Sequence, residues 1–167
     1  MRFLLLISCL ILSSCAGYQL GGVKPSILRD VETISVPMFQ NATLHPRAEA
    51  LATSAAADAI VQDGTYRIAT SGSADAVLEA TLHEIEYTQI RATRLDTLRP
   101  EELQNTVTLN WTLRDNRGSN EVLATGTSIG SSRFFVDSNL QTSRNNALPD
   151  ALQRASQAMV SRLANGF

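Results

Sequence analysis

Few residues in this chain have the types and spacing to do chemistry. Gly126-Thr-Ser128-Ile-Gly130 has the G-x-S-x-G spacing of a hydrolase nucleophile elbow. That device needs a sharp strand-to-helix turn at the serine and a histidine later in the chain to take its proton. No histidine follows Ser128, and the segment reads as a strand that continues through Phe134-Phe135. His83 stands beside Glu84 and Glu86, but neighbours on a strand point to alternate faces and do not converge on a metal. The two cysteines, Cys9 and Cys15, both fall within the first fifteen residues, so the body of the protein has no thiol nucleophile, zinc-binding cysteine set or disulfide framework. Nothing resembles a glycine-rich phosphate loop. The inventory therefore predicts no catalytic residue, no metal and no cofactor. What remains is Arg91 and Arg94, in a segment over 88–104 that reads as a long loop or an extended hairpin tip. Guanidinium groups bind phosphate bidentately and stay charged at all accessible pH, so the pair suits a phosphorylated ligand. Asp96, Glu101 and Glu102 are close by in sequence and offer local ion pairs instead.

The elements that must position these residues begin after a distinctive N-terminus. Arg2 precedes an apolar run from Phe3 to Leu12, much shorter than the roughly 20 residues that cross a bilayer. It reads as the hydrophobic region of a signal peptide. Leu12-Ser13-Ser14-Cys15 then resembles a bacterial lipoprotein cleavage box, in which the chain is cut before the cysteine and the thiol is acylated. Ala16, rather than an aspartate, follows Cys15, as in lipoproteins sorted to the outer membrane. The expected organisation is a lipoprotein signal peptide over 1–14, a lipidated N-terminal segment over 15–30 and a single domain over 31–167. The lipid on Cys15 is the expected membrane anchor, with the domain facing the periplasm. The 167 residues are 44% hydrophobic and 18% charged, and 14 Lys+Arg against 16 Asp+Glu give a net charge of −2. That suffices for one modest core and supplies no basic field for nucleic acid.

Residues 31–38 place Ile34, Val36 and Met38 at period two, with Pro37 marking an end or an edge. Pro46 then suits a first helical position, Ala48, Leu51, Ala52, Ala55 and Ala59 form an apolar stripe, and Asp63-Gly64 supplies a stop. Strand patterns follow at Tyr66 and Ile68 and over 77–87, where the inward parity changes between Leu82 and Ile85 and predicts a bulge near His83. Alternation is strict over 106–114, with Val107, Leu109, Trp111 and Leu113 on one side and threonines and Asn110 on the other. This implies one buried and one solvated face. Asp115-Asn116-Arg117-Gly118 reads as the turn of a hairpin to 121–129. A last stripe of Ala147, Ala151, Leu152, Ala155, Met159 and Leu163 predicts a helix with Pro149 near its start and Gly166 after its end. The predicted class is α+β, a two-layer sandwich of two helices on one face of a mainly antiparallel four- to five-stranded sheet.

Cys15-Ala-Gly17-Tyr18-Gln-Leu20-Gly-Gly22, then Ile34-Ser-Val36-Pro-Met-Phe39-Gln-Asn41-Ala-Thr43 before a helix, resembles the lipopolysaccharide-assembly outer-membrane lipoprotein (LptE-like) family. The resemblance covers nearly the whole chain after the signal, and the order of its motifs carries it. It implies two helices on a four-stranded sheet, seated in the lumen of a β-barrel translocon as its plug and assembly partner. Lipopolysaccharide is the implied ligand, for which Arg91 and Arg94 are the candidate contacts. The near absence of lysine, with Lys24 alone, departs from the family. The alternative that the residues leave open is a stand-alone lipid- or ligand-binding lipoprotein, such as an accessory subunit of a periplasmic lipid transporter.

Overall fold

The computed structural model describes residues 24–92, 100–136 and 139–166. Cys15, the signal segment and Arg94 lie outside them. Six strands and two helices follow in the order β1 (Thr33–Ser35), β2 (Gln40–Asn41), α1 (Ala48–Asp63), β3 (Arg67–Ile68), β4 (Ala76–Ala92), β5 (Pro100–Asp115), β6 (Val122–Phe135) and α2 (Leu140–Asn165). One sheet results, in the order β3-β1-β4-β5-β6, and α2 packs on β6, β5 and α1. The predicted α+β sandwich is present, but the sheet is mixed. β4, β5 and β6 form an antiparallel meander, whereas β1 runs parallel to both β3 and β4, and β2 runs parallel to β4 further along. Parallel neighbours need a crossover, and α1 between β1 and β3 is that crossover.

Local chemistry sets the boundaries, and several differ from the sequence reading. Period two fails at Pro37, which has no N–H for a ladder. The strand is therefore interrupted after β1, so Met38 turns out to solvent while Phe39 enters the core. α1 begins two residues after Pro46, because Arg47 takes a left-handed conformation (φ 64°), and it ends on left-handed Gly64 as expected. Its buried row is Ala48, Ala52, Ala56, Ala59 and Ile60, and Leu51 is 41% exposed. The row facing α2 is built from small side chains, and the larger leucine falls beside it. α2 starts nine residues before Pro149, where the Asn139 side chain accepts from the Thr142 N–H at 3.2 Å and caps the first turn. The bulge at His83 is present, as the β4–β5 register shifts between Leu82 and Glu84. The 88–104 segment is mostly strand, since β4 and β5 stay paired out to Ala92 and Pro100.

The core lies between sheet and helices. Leu78, Leu82, Leu109, Trp111 and Leu113 rise from the sheet to meet Leu148, Leu152, Met159 and Leu163 of α2. On β6 the inward positions are Ala124, Gly126, Ser128, Gly130 and Ser132, all small. A Cβ on Gly126 would stand 2.7 Å from Cζ2 of Trp111, and one on Gly130 would run into the backbone of Ala151 and Ala155. Ser128 accepts the Trp111 indole N–H at 3.0 Å, and the Ser132 hydroxyl donates to the carbonyl of Ala147 at 2.9 Å. The G-x-S-x-G spacing is thus a helix seat in mid-strand. Carboxylates tie the opposite end of the sheet. Asp75 accepts from the Thr33 hydroxyl at 2.7 Å and from the Thr33 and Glu32 N–H groups, and these bonds hold its pKa below the usual carboxylate range. Asp115 organises the β5–β6 turn, where the Ser119 hydroxyl and then the Arg117 guanidinium bring its pKa down to about 2.

Two expectations follow. Gly130→Ala should destabilise the domain by at least about 2 kcal/mol in urea unfolding, because neither helix nor strand backbone can retreat without opening the core; an unchanged midpoint would contradict the helix seat. Because the folded pKa values of Asp75 and Asp115 lie below the unfolded value of about 3.9, their stabilisation is full above about pH 4. It is lost as pH falls through the folded values, toward about 2 for Asp115. The thermal midpoint should drop across that window, and Asp115→Asn should flatten the drop.

Candidate functional site

Two surfaces remain once the core is assigned. The first is the sheet face away from the helices. Strict alternation puts Thr106, Thr108, Asn110 and Thr112 of β5 on it, flanked by Glu79 and Thr81 of β4 and Thr125 and Thr127 of β6. These side chains bond to one another across strands. Thr127 donates to Asn110 Oδ1 at 2.8 Å, the Thr112 and Thr125 hydroxyls are 3.3 Å apart, and Arg114 Nε lies 3.1 Å from Glu79 Oε2. Pro37 and Met38, displaced by the break between β1 and β2, wall an open trough of about 820 Å³ over this ladder. Its chemistry is a flat array of hydroxyls and amides, suited to meeting another polar surface.

The second surface is a cleft of about 290 Å³ at the end of the sheet where β4 leaves the core. Leu44, His45, Ile85, Tyr87, Gln141 and Arg144 line it. Asn41 builds its outer wall. The Asn41 Oδ1 accepts from the Thr43 N–H at 2.9 Å and hydroxyl at 2.7 Å, and its Nδ2 donates to the His45 carbonyl at 2.8 Å and to Glu49 at 2.9 Å. One amide therefore closes the loop from β2 into α1. Phe39, buried, anchors the start of that loop, with its N–H bonded to the Thr53 hydroxyl at 2.9 Å. His45 Nε2 lies 3.2 Å from Asn145 Oδ1 and ties the loop to α2. On the inner wall the Arg144 guanidinium lies 4.6 Å from the Tyr87 ring centroid, while Phe134 meets the same ring edge-on at 6.3 Å. Burial raises the Tyr87 pKa, against the opposing pull of Arg144. The Tyr87 hydroxyl, Arg144 Nε and both amide atoms of Asn105 are enclosed without hydrogen-bond partners among the described residues. Asn105 is directly opposite Tyr87 across the β4–β5 ladder and is 0% exposed.

The residues singled out in the sequence fall elsewhere. Arg91 is on β4 facing Glu102 of β5, with Nε 4.0 Å from the carboxylate and its side chain 68% exposed. The local ion pair read as its alternative is therefore formed. Arg94 lies outside the described residues, so the two arginines cannot be compared. His83, Glu84 and Glu86 are exposed along β4, and no group of three possible metal ligands forms among the described residues. Tyr87, Asn105 and Arg144 were not picked out. Asn105 carried a signal all the same, since it is a polar residue on the inward parity that runs from Leu103 through Leu113.

With the geometry in place, comparison with known proteins gives a family. The model of the lipopolysaccharide-assembly family LptE matches residues 31–163, and the chain belongs to that family. No curated protein matches the sequence. The fold is similar to that of the hypothetical protein CT253 from Chlamydia trachomatis, with TM-score 0.56 and 10% identity over 79% of this chain and 95% of that one. It is also similar to protein XCC0632 from Xanthomonas campestris, with TM-score 0.53 and 14% identity over 83% and 87%. At such identities these two show the fold alone. The family-like residues Phe39, Asn41 and Thr43 turn out to be the ones that shape the cleft wall. Asn41→Ala should therefore cost about 1–3 kcal/mol in urea unfolding through its lost hydrogen bonds. It should also weaken protection of the 42–46 amides in hydrogen exchange, and unchanged protection there would contradict the role given to Asn41.

Proposed function

We propose that this LptE-family chain is a non-enzymatic outer-membrane lipoprotein, acylated at Cys15, that acts as the plug and assembly partner of the β-barrel translocon inserting lipopolysaccharide into the outer membrane. The family match over 31–163 carries the reading. The cleavage box ending at Cys15 supplies the anchor, and no helix among the described residues is long and apolar enough to cross a membrane. The open sheet face supports the plug geometry. A barrel lumen large enough to hold a folded domain is water-lined, and a face of threonines, Asn110 and paired charges can exchange its hydrogen bonds with such a wall without exposing an apolar patch. The lumen-facing role thus falls to the sheet, and the helices and core give it stiffness.

Lipopolysaccharide contact is assigned to the far end of the β4–β5 arm, where Arg91 projects and Arg94 follows. The Arg91–Glu102 pair is long, and although Glu102 is largely covered, the arginine side is exposed, so its guanidinium stays open to a phosphate. The experiment has two arms. An affinity-tagged chain extracted in mild detergent should bring down one large β-barrel protein, and recovery of the lipoprotein alone would contradict the plug role. The Arg91→Ala/Arg94→Ala double variant should bind lipopolysaccharide more weakly and in a salt-sensitive way while keeping its thermal midpoint; unchanged binding would remove the ligand site and leave the plug reading standing.

A further inference from the structure

The cleft bounded by Leu44, Tyr87 and Arg144 is short of hydrogen-bond acceptors. Of its lining residues, Arg144 Nε and the Tyr87 hydroxyl are enclosed donors without partners among the described residues. Enclosed polar groups of this kind are normally satisfied. Among the described residues no carboxylate lines the cleft, and none lies within 4 Å of the Arg144 guanidinium. The volume, about 290 Å³, falls below that of most small-molecule sites and suits one or two amino-acid side chains. At its rim Leu44 is 104% exposed, yet its loop is held by the bonds of Asn41 and by His45 to Asn145. An apolar side chain displayed on a fixed loop beside a stacked Arg–Tyr pair has the composition of a protein-binding hot spot.

We propose that this cleft receives an acidic side chain of the barrel partner, whose carboxylate accepts from Arg144 and Tyr87 while neighbouring apolar residues cover Leu44. The inference rests on the plug reading and adds to it a second contact, apart from the polar sheet face. A carboxylate here meets a charge-assisted donor already oriented by stacking on the Tyr87 ring, so the contact fixes how the domain sits as well as adding affinity.

The test uses the full chain, with its own anchor, co-expressed with the barrel. Arg144→Gln keeps the bulk and removes the charge, and Tyr87→Phe removes only the enclosed hydroxyl. Recovery of barrel after a salt wash should fall about tenfold for Arg144→Gln and less for Tyr87→Phe. A photo-crosslinker at Leu44 should join the chain to a barrel segment containing Asp or Glu. The Tyr87→Phe domain should melt no lower than the wild type, since it loses an unpaired group. If Arg144→Gln fails to fold, Tyr87→Phe and the crosslink decide. Barrel recovered equally by wild type and both variants would overturn the cleft contact and leave the plug reading intact; no barrel recovered even by the wild type would end both. Binding of inorganic phosphate or phosphatidic-acid vesicles to the isolated chain, lost in Arg144→Gln, would assign the cleft to a phosphate or lipid headgroup and overturn the protein contact.

Discussion

The packing of α2 against β6 at backbone distance is the contact on which the other features depend. Gly126 makes room for Trp111 and Gly130 for the backbone of Ala151 and Ala155, so one helix of 26 residues can run along the sheet without a layer of large side chains between. This close approach places Leu148, Leu152, Met159 and Leu163 directly over Leu78, Leu109 and Leu113. The alanine row of α1 then completes the same layer. With both helices committed to one face, the other is left free of them and carries the threonine ladder.

The two ends of the sheet do different work. At one end, Asp75 fastens β1 to the start of β4, Asp115 sets the β5–β6 turn, and the Tyr66 hydroxyl donates to the carbonyl of Leu163 at 2.7 Å. Burial, and then Asp63, push the Tyr66 pKa up to about 12, so that bond survives any ordinary pH. The Lys24 ammonium sits 4.8 Å from the Tyr66 ring centroid and donates to the Val31 carbonyl, fixing the point where the N-terminal segment leaves the domain. At the far end the chemistry is open, with an exposed Arg91 and a cleft of unpaired groups. β4, 17 residues long, joins the two ends over about 55 Å at 3.3 Å per residue.

Much of this was legible in the sequence because burial on one face leaves a period. The alternation over 106–114, the parity change that marked the bulge at His83, and the stop at Gly64 each reflect a single local constraint. The mixed sheet was less legible. Parallel pairing of β1 with β3 and β4 is a tertiary consequence of the α1 crossover, and β2, only two residues long, leaves no periodic trace. The start of α2 was set by the Asn139 cap rather than by the apolar stripe, so Arg144 lies in opening turns that the stripe does not reach. The G-x-S-x-G segment shows the converse, since small residues at alternate positions carry the same letters whether they support a nucleophile or a helix. The cleft was illegible because its members come from a loop, a strand and a helix, and only Asn105, behind Tyr87 on the neighbouring strand, broke a local rule.

The account turns on the claim that the polar sheet face, and not the helical side, is buried against a partner. Because Cys9 and Cys15 are the only cysteines, Thr127→Cys introduces one reactive thiol on β6, within the threonine ladder of that face. Its rate of modification by a small maleimide, compared between the isolated soluble domain and the detergent-extracted assembly, is the most direct measurement. The thiol should react freely in the isolated domain and be protected in the assembly, whereas equal rates in both would contradict the assignment of the face.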